Sequence, residues 1–321
     1  MAMLSRVAEH LYWLSRYLER AENTARLVNV NGSLILDLPK HARPGWSSLI
    51  AITGADELFN RLYPDGPAEG HVVKFMLADA ENPGSILSSI RSARENARTV
   101  RDIIPREAWE QINALHLKAK EHLASGLSPK WRYAFLSEVI LSVQMISGIL
   151  NGGMSHDAGF EFMNIGCSLE RADMTTRIID VRSLNLSVKD QAEALKPFEN
   201  ILWMSVLKSL TAWQMYRRHM QASVRRDAVL KFLLQDSQFP RAFRFCLDQV
   251  EDCLNRLPRS EAVLQALSPL KNQIAATDPE KLGQNALMEY IDELQIMLAD
   301  IHVAIGKNYF GDVEEGQSQA Q

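Results

Sequence analysis

A stretch of eleven residues near the start of the chain recurs, with the same order of charges, near its middle. The first copy reads LERAENTARLV over residues 18–28, and the second reads LERADMTTRII over residues 169–179. Leucine, glutamate, arginine, alanine, a threonine and a second arginine match, and Glu/Asp, Leu/Ile and Val/Ile are conservative exchanges. Two copies of one unit have to bury the same kind of surface, so this repeat constrains the fold strongly.

Both copies lie in segments with the apolar spacing of closely packed helices. Apolar or small residues step by three and four through positions 11, 14, 18, 21, 25 and 28, and through positions 162, 165, 169, 172, 176 and 179. This spacing predicts two amphipathic helices, each with a narrow apolar stripe that we call its seam. No window alternates apolar and polar residues in the manner of a β-strand. The sequence therefore predicts an all-α fold, a multi-helix bundle containing the two motif helices.

Glycine and proline cluster between the periodic segments and set the predicted helix boundaries. Ser128-Pro129 is expected to start one helix, Gly152-Gly153 to end it in a left-handed turn, and Ser155 or Asp157 to cap the next. The predicted helices span 4–36, 46–62, 71–77, 85–104, 129–151, 157–183, 197–221, 240–257, 260–276 and 279–306. We predict one domain over 1–311, with repeat halves of about 1–125 and 126–311, and a disordered polar tail over 312–321.

Composition and charge narrow the class of protein. The chain is 46% hydrophobic and 23% charged with a formal net charge of -4, so it lacks the positive bias that nucleic-acid binding requires. Three cysteines, Cys167, Cys246 and Cys253, are too few for a disulfide framework and indicate reduced core thiols. Charges interrupt the N-terminal region, and the most apolar segment, 139–150, is shorter than the ~20 residues that span a bilayer. We expect a cytoplasmic protein that binds neither nucleic acid nor membrane.

Helical geometry, at about 100° per residue, places the charges of each motif copy beside its seam. In the first copy Glu19, Glu22 and Arg26 share one flank, and their equivalents share the matching flank of the second copy. Arg20 and Arg171 point to the other side and are expected to lock helix packing. Charges beside a buried seam have to be paired to be tolerated.

A third segment carries arginines where the two motif copies carry acids. Residues 86–104 repeat the three-four spacing, and Arg91, Arg94, Arg98 and Arg101 flank that seam. We hypothesise that this helix packs against one or both motif helices through charge complementarity.

Two interpretations of the charged helices stay open. In one, arginines fix a carboxylate or phosphate, and carboxylates hold an amine, in a polar site between helices. In the other, the charges form a buried ion-pair network that specifies helix pairing. The candidate site residues are Arg16, Glu19, Arg20, Glu22, Asn23, Arg26, Arg94, Glu95, Asn96, Arg98, Glu170, Arg171, Asp173 and Arg177.

The motif is expected to bind neither a metal ion nor a nucleotide. Glu19-x-x-Glu22 and Glu170-x-x-Asp173 have the spacing of carboxylate ligands, but the chain lacks the Glu-x-x-His of di-metal helical bundles. Nearby arginines would compete with a cation. The sequence also contains neither a P-loop nor a dinucleotide-binding glycine motif. We therefore expect no cofactor on this chain.

The first motif helix carries the pattern W-x-x-R-Y-x-E-R-A-E-N-x-A-R in Trp13, Arg16, Tyr17, Glu19, Arg20, Ala21, Glu22, Asn23, Ala25 and Arg26. In this pattern it resembles the Alpha-E family of bacterial helical proteins. The runs ARENAR (93–98), LERADMTTR (169–177) and FPRAFRFC (239–246) resemble the family as well, with Ala242 where relatives often have serine. The resemblance covers essentially the whole chain.

This resemblance implies that the protein acts together with a partner protein. It implies an ATP-grasp-type ligase, often with a transglutaminase-like protein, and amide or peptide-bond formation with ATP and Mg on the ligase. The leading hypothesis is a helical subunit that offers the ligase a charged pocket for a substrate or intermediate. The alternatives are a free-standing small-molecule enzyme and a structural adaptor whose charges serve the fold alone.

Overall fold

The computed structural model describes residues 5–39, 43, 45–185, 196–220 and 223–311. Across these residues the chain forms fifteen α-helices and no β-strand, which confirms the all-α prediction. The predicted tail, 312–321, lies outside the described residues, and the division into repeat halves stays a prediction. The helices are α1 (Ser5–Asp37), α2 (Ser47–Thr53), α3 (Asp56–Leu62), α4 (Glu69–Leu77), α5 (Ile86–Thr99), α6 (Arg106–Glu121), α7 (Leu123–Leu127), α8 (Arg132–Gly153), α9 (Ala158–Asn185), α10 (Glu199–Ser209), α11 (Trp213–Met220), α12 (Arg226–Gln235), α13 (Phe243–Arg256), α14 (Glu261–Ala276) and α15 (Gln284–Ile305).

The two motif helices, α1 and α9, pack along each other at the centre of the bundle. Helices α5 and α8 cover α1, and helices α13 and α15 cover α9. All twelve predicted seam residues are buried. One continuous hydrophobic core surrounds this pair, with a small satellite cluster where the end of α1 meets α10. The central position of the pair explains why both copies of the motif need the same narrow apolar seam.

Two segments predicted as single helices are broken by residues in the left-handed region. The predicted helix 46–62 is divided into α2 and α3 at Gly54, which has φ +65°. The predicted helix 197–221 is divided into α10 and α11 around Thr211, which has φ 54°. A β-branched residue rarely adopts this conformation, so the second break could not be predicted from the residue types.

Three helices were missing from the prediction: α6, α7 and α12. Helix α6 does carry three-four spacing in its buried Ala108, Ile112, Leu115 and Ala119. Helix α12 has a nearly unbroken apolar run, because it is covered on several sides. Such a run has no amphipathic period by which a helix could be recognised.

The structure corrects two of the predicted helix ends around α8. This helix begins at Arg132, three residues after the Ser128-Pro129 start, and runs through Gly153 into an extended Met154, with no left-handed turn. The predicted cap at Asp157 is confirmed, since its Oδ1 accepts the Gly159 N–H at 2.9 Å.

Helix α8 is longer than the apolar segment 139–150 suggested. By length and composition it is apolar enough to cross a membrane, although 39% of its most apolar window is buried inside the fold. Helix α8 packs along α1 and α6, and one such helix is weak evidence for a membrane span.

Gly166 lets α1 and α9 approach closely at one point. A Cβ atom at Gly166 would lie 2.4 Å from the Tyr12 carbonyl oxygen and 2.5 Å from the Ser15 Oγ. Since the Tyr12 oxygen belongs to the backbone of α1, relief of this clash requires the two helices to move apart.

We predict that Gly166→Ala lowers the free energy of unfolding by about 2 kcal/mol or more, because of this overpacking. Gly148→Ala is the matched control, since Gly148 is exposed in α8 with no atom within 4 Å of its would-be Cβ. That change should raise stability by about 0.5–1 kcal/mol through helix propensity. Urea unfolding of both variants measures the difference, and equal stabilisation by both changes would contradict the close approach.

Candidate functional site

The glutamates and arginines of the two motif copies pair across the interface between α1 and α9. Arg171 on α9 donates through Nε to Glu19 Oε2 on α1 at 3.0 Å. Arg20 on α1 donates through Nε to Glu170 Oε1 on α9 at 2.6 Å. Each copy therefore supplies the carboxylate to the other copy's guanidinium, as two subunits do across a two-fold interface. Arg20 and Arg171 join the two helices, as expected.

A second guanidinium contacts each of these glutamates. Arg16 donates through Nε to Glu170 Oε2 at 2.8 Å. On the other side, Arg241 Nη1 lies 2.5 Å from Glu19 Oε1 and donates to Asn23 Oδ1 at 2.7 Å. Arg241 and Glu19 therefore form an ion pair.

The second guanidinium comes from a different element for each glutamate, because the two motif copies differ in sequence. The residue equivalent to Arg16 in the second copy is Cys167, whose thiol donates weakly to Glu19 Oε2 at 3.4 Å. Arg241 comes instead from the turn before α13, where its carbonyl oxygen accepts the Thr175 hydroxyl at 2.9 Å. Arg241 therefore supplies the second positive charge beside Glu19, which the Cys167 thiol cannot supply.

Both glutamates are ionised despite their burial. Glu19 is 3% exposed and Glu170 is 2% exposed. Burial alone would raise the pKa of Glu170, but Arg20 and Arg16 outweigh it and lower the pKa to about 2. For Glu19, burial is likewise outweighed by Arg171 and Arg241, so its pKa is also lowered. The positive charges thus hold both carboxylates in the charged form.

Within each motif helix, one further acid–arginine pair lies beside these contacts. Arg26 donates to Glu22 Oε1 through Nη2 at 2.6 Å, and Arg177 donates to Asp173 Oδ2 through Nε at 2.8 Å. Glu22 Oε1 also accepts from Gln144 and from Arg241 Nη2, each at 3.3 Å.

Positive charges outnumber negative ones in this Glu-Arg cluster. Each half holds three guanidiniums and two carboxylates, so the ten groups carry two surplus positive charges. The groups are Arg16, Arg20, Arg177, Glu170 and Asp173 in one half, and Arg26, Arg171, Arg241, Glu19 and Glu22 in the other.

Clefts open on both sides of the cluster. The Arg171 cleft, of about 270 Å³, is lined by Arg171, Arg241, Glu22 and Thr211, the residue with positive φ. The Arg177 cleft, of about 650 Å³, is lined by Arg20, Glu170, Asp173 and Arg177 with the turns at Gly54 and Gly84. Glu57, Arg61 and Glu81 complete its charged lining, so four carboxylates face three guanidiniums there. A smaller space of about 110 Å³, the Arg16 pocket, lies between α1, α9 and α15.

The arginine helix α5 packs along α1, but its charges do not take part in the cluster. Arg94 donates to Asn113 Oδ1 at 2.7 Å and to Glu95 Oε1 at 2.8 Å, and Arg98 donates to Glu95 Oε2 at 2.9 Å. Asn96 Oδ1 lies 2.8 Å from His10 Nδ1. The predicted charge complementarity is therefore wrong, because these arginines pair with residues of their own helix and of α6.

The roles of Arg241, Gln144 and His302 were not predicted from the sequence. Arg241 lies 219 positions from Glu22, so no local periodicity connects them. The FPRAFRFC run containing Arg241 was the one available signal. His302 Nδ1 lies 2.7 Å from the Tyr12 hydroxyl, and burial and Arg16 lower the pKa of His302 to about 4.

The cysteines carry no sign of a reactive thiol. Cys246 and Cys253 are buried, which confirms them as core residues, and Cys167 is partly buried. Burial raises the pKa of Cys246 to about 12, and burial together with Glu161 does the same for Cys253. Burial raises the pKa of Cys167 as well. Thiols with raised pKa values are poor nucleophiles.

Fold and site together define the class: an all-helical protein whose two central helices exchange Glu-Arg pairs inside the core. The chain belongs to the Alpha-E family, whose model, described as a predicted alpha-helical domain with a conserved ER motif, matches residues 3–310. The family resemblance of the motif is thereby confirmed.

Related chains are much longer than this one. Uncharacterized proteins of Mycobacterium bovis and Mycobacterium tuberculosis are 25% identical to it over 325 residues. The match covers 94% of this chain and 35% of each relative, so the chain spans about a third of their length. No solved structure matches the chain.

We predict that the free energy of unfolding falls in two separate pH ranges as the pH is lowered. The pKa of His302 drops on folding from its usual 6.5 to about 4, so the neutral ring's contribution is lost as pH falls from 6.5 toward 4. The pKa of Glu170 drops from 4.5 to about 2, so its contribution is lost below pH 4.5.

His302→Gln should reduce the slope of unfolding free energy against pH between 6.5 and 4 and leave the lower range unchanged. Urea unfolding at a series of pH values measures this slope. His156→Gln, at an exposed position, controls for the loss of an imidazole. An unaltered slope in His302→Gln would contradict the assignment of a neutral, half-buried His302.

Proposed function

We propose that this chain is the helical partner subunit of an ATP-grasp-type carboxylate–amine ligase, and that its Glu-Arg cluster holds a charged substrate or intermediate. The proposal rests on the surplus of guanidiniums in the cluster. A buried network that served the fold alone would be expected to balance its charges, because an uncompensated buried charge is costly. The surplus faces the Arg171 cleft and the Arg16 pocket, whose linings hold more guanidiniums than carboxylates, and there it favours an anionic ligand.

The arginines that line the clefts keep part of their surface accessible. Arg171 donates through Nε to Glu19, and its side chain is still 26% exposed where it lines the Arg171 cleft. Arg177 donates through Nε to Asp173 and is 32% exposed. Guanidinium groups bind carboxylates and phosphates through paired N–H donors, so either side chain could hold an acyl or phosphoryl group.

The proposed ligase partnership rests on the resemblance of the sequence motifs alone. The family resemblance implies an ATP-grasp-type ligase, with ATP and Mg on that partner, and a transglutaminase-like protein as a second partner. Relatives in which this domain makes up 35% of the length show that it occurs joined to further chain. We place the work of the complex in the cytoplasm and its chemistry in amide or peptide-bond formation.

A structural adaptor is the second candidate function. Its support is the reciprocal pairing of Glu19 with Arg171 and of Glu170 with Arg20, which by itself fixes one helix against the other. An adaptor would bind its partner equally well after the clefts are altered.

We predict that the chain raises ATP turnover by an ATP-grasp-type ligase from the same genome when the correct acid and amine are present. Arg171→Met should lower this rise by about tenfold or more, since a guanidinium on the reacting group is lost. Release of ADP across a panel of acids and amines is the measurement. Arg98→Met, an exposed change outside the clefts, should keep the full effect.

The two candidate functions give different results in that assay. Activation that survives Arg171→Met in a folded variant supports the adaptor. The absence of both activation and co-purification would refute the ligase partnership.

A further inference from the structure

We infer that the half of the cluster around Glu170 binds the anionic group of a small ligand in the Arg16 pocket, with the rest of the ligand in the Arg177 cleft. The anionic group is a carboxylate or a phosphate. This inference rests on the proposed function for the ligand's role, whereas the binding itself follows from the site described below.

The two halves of the cluster differ in how their clefts are filled. The turn before α5 reads Pro83-Gly84-Ser85 and the turn before α13 reads Pro240-Arg241-Ala242. The equivalent threonines of the motif donate to the same place in each turn, Thr24 to the Gly84 carbonyl at 3.5 Å and Thr175 to the Arg241 carbonyl at 2.9 Å. Gly84 therefore stands where the other half has Arg241.

This difference leaves one half open. In the half around Glu19, the Arg241 side chain is 7% exposed and occupies the space beside the carboxylates. In the half around Glu170, Gly84 has no side chain, and the Arg177 cleft there has more than twice the volume of the Arg171 cleft, about 650 Å³ against 270 Å³. The position that the Arg241 side chain fills in one half is thus empty in the other, where Arg16 of α1 supplies the second guanidinium instead.

The Arg16 pocket next to this open cleft is lined mainly by hydrogen-bond donors. Arg16, Arg20 and Arg177 line it, and Asp173 is the one carboxylate among its lining residues. Gln295 also lines it, and its Nε2 is buried without a hydrogen-bond partner. An unpartnered buried N–H costs free energy, and a turn of the Gln295 side chain toward the pocket would bring this N–H to an acceptor group on a ligand.

His302 adds a neutral side chain to this pocket. The Tyr12 oxygen accepts an N–H from Arg16 at 3.2 Å and lies 2.7 Å from His302 Nδ1. When the Tyr12 hydroxyl donates to Nδ1, the ring proton of the neutral histidine resides on Nε2, which makes His302 a further donor. Trp13 closes the wall with an apolar face.

The volumes of the Arg16 pocket and the Arg177 cleft, and the residues that line both, suit a ligand with an anionic group and a larger remainder. The Arg16 pocket, at about 110 Å³, far exceeds the roughly 15 Å³ that one water needs and is large enough for a carboxylate or phosphate. Arg20, Asp173 and Arg177 line both the pocket and the Arg177 cleft. A ligand held by its anionic group against these residues can therefore extend into the larger cleft.

Anion binding to the purified chain tests this inference without the ligase. Sodium phosphate and sodium acetate are titrated at constant ionic strength against sodium chloride, with thermal unfolding and calorimetry as readouts. We expect saturable binding of at least one of the two anions and a rise in Tm of about 2 °C or more over chloride. A response to phosphate alone identifies a phosphoryl group, and a response to acetate alone identifies a carboxylate.

Two variants locate the anion. Gln295→Leu removes the unpartnered N–H, so without anion it should melt at the wild-type temperature or higher, yet its anion-dependent rise in Tm should fall at least twofold. Arg177→Met should lower the rise in the same way. Arg98→Met is the control, since Arg98 pairs with Glu95 at the surface, and it should respond as the wild type does.

The inference is overturned if neither anion stabilises the wild type beyond chloride, or if both pocket variants respond as the wild type does. Either result leaves the ligase partnership standing, because activation of the ligase is measured separately. Conversely, anion binding in the pocket without any effect on a ligase would refute the proposed function alone.

Discussion

The structure depends on two carboxylates that are buried between α1 and α9 and paired with arginines of the opposite helix. Burial of a carboxylate is tolerated only when positive charges and hydrogen bonds replace the lost water. Glu170 has both Arg20 and Arg16 for this purpose, which is why its pKa lies far below its usual value. Because each helix provides the partner that the other needs, a shift of one helix along the other would leave charges unpaired on both sides.

The rest of the bundle follows from this pairing. Close approach of the two helices requires a residue without a side chain at Gly166. The turn before α13 has to bring Arg241 to Glu19, since Cys167 stands where an arginine would serve. The equivalent turn before α5 carries Gly84 and leaves a cleft. Sequence differences at equivalent positions of the two motif helices and of the two turns thus leave the space beside Glu19 filled and the space beside Glu170 open.

The sequence predicted the parts of this arrangement that depend on one helix at a time. Seam spacing identified both motif helices, and the charges beside the seams implied burial and pairing. Which arginine meets which acid depends on how helices pack, so Arg94 and Arg98 were assigned to partners that they do not contact. Arg241 could not be placed because its partners are distant in sequence. The break at Thr211 was missed because nothing local predicts a threonine with positive φ.

The most direct measurement of the central claim is a double-mutant cycle on Arg20 and Glu170, with Arg20→Met, Glu170→Met and the double variant compared by urea unfolding. If the crossed pair fixes the two helices, the cycle gives a favourable coupling of about 2 kcal/mol or more, and the double variant is more stable than Glu170→Met alone. Effects that add to within about 0.5 kcal/mol would contradict the claim, because the two side chains would then contribute independently.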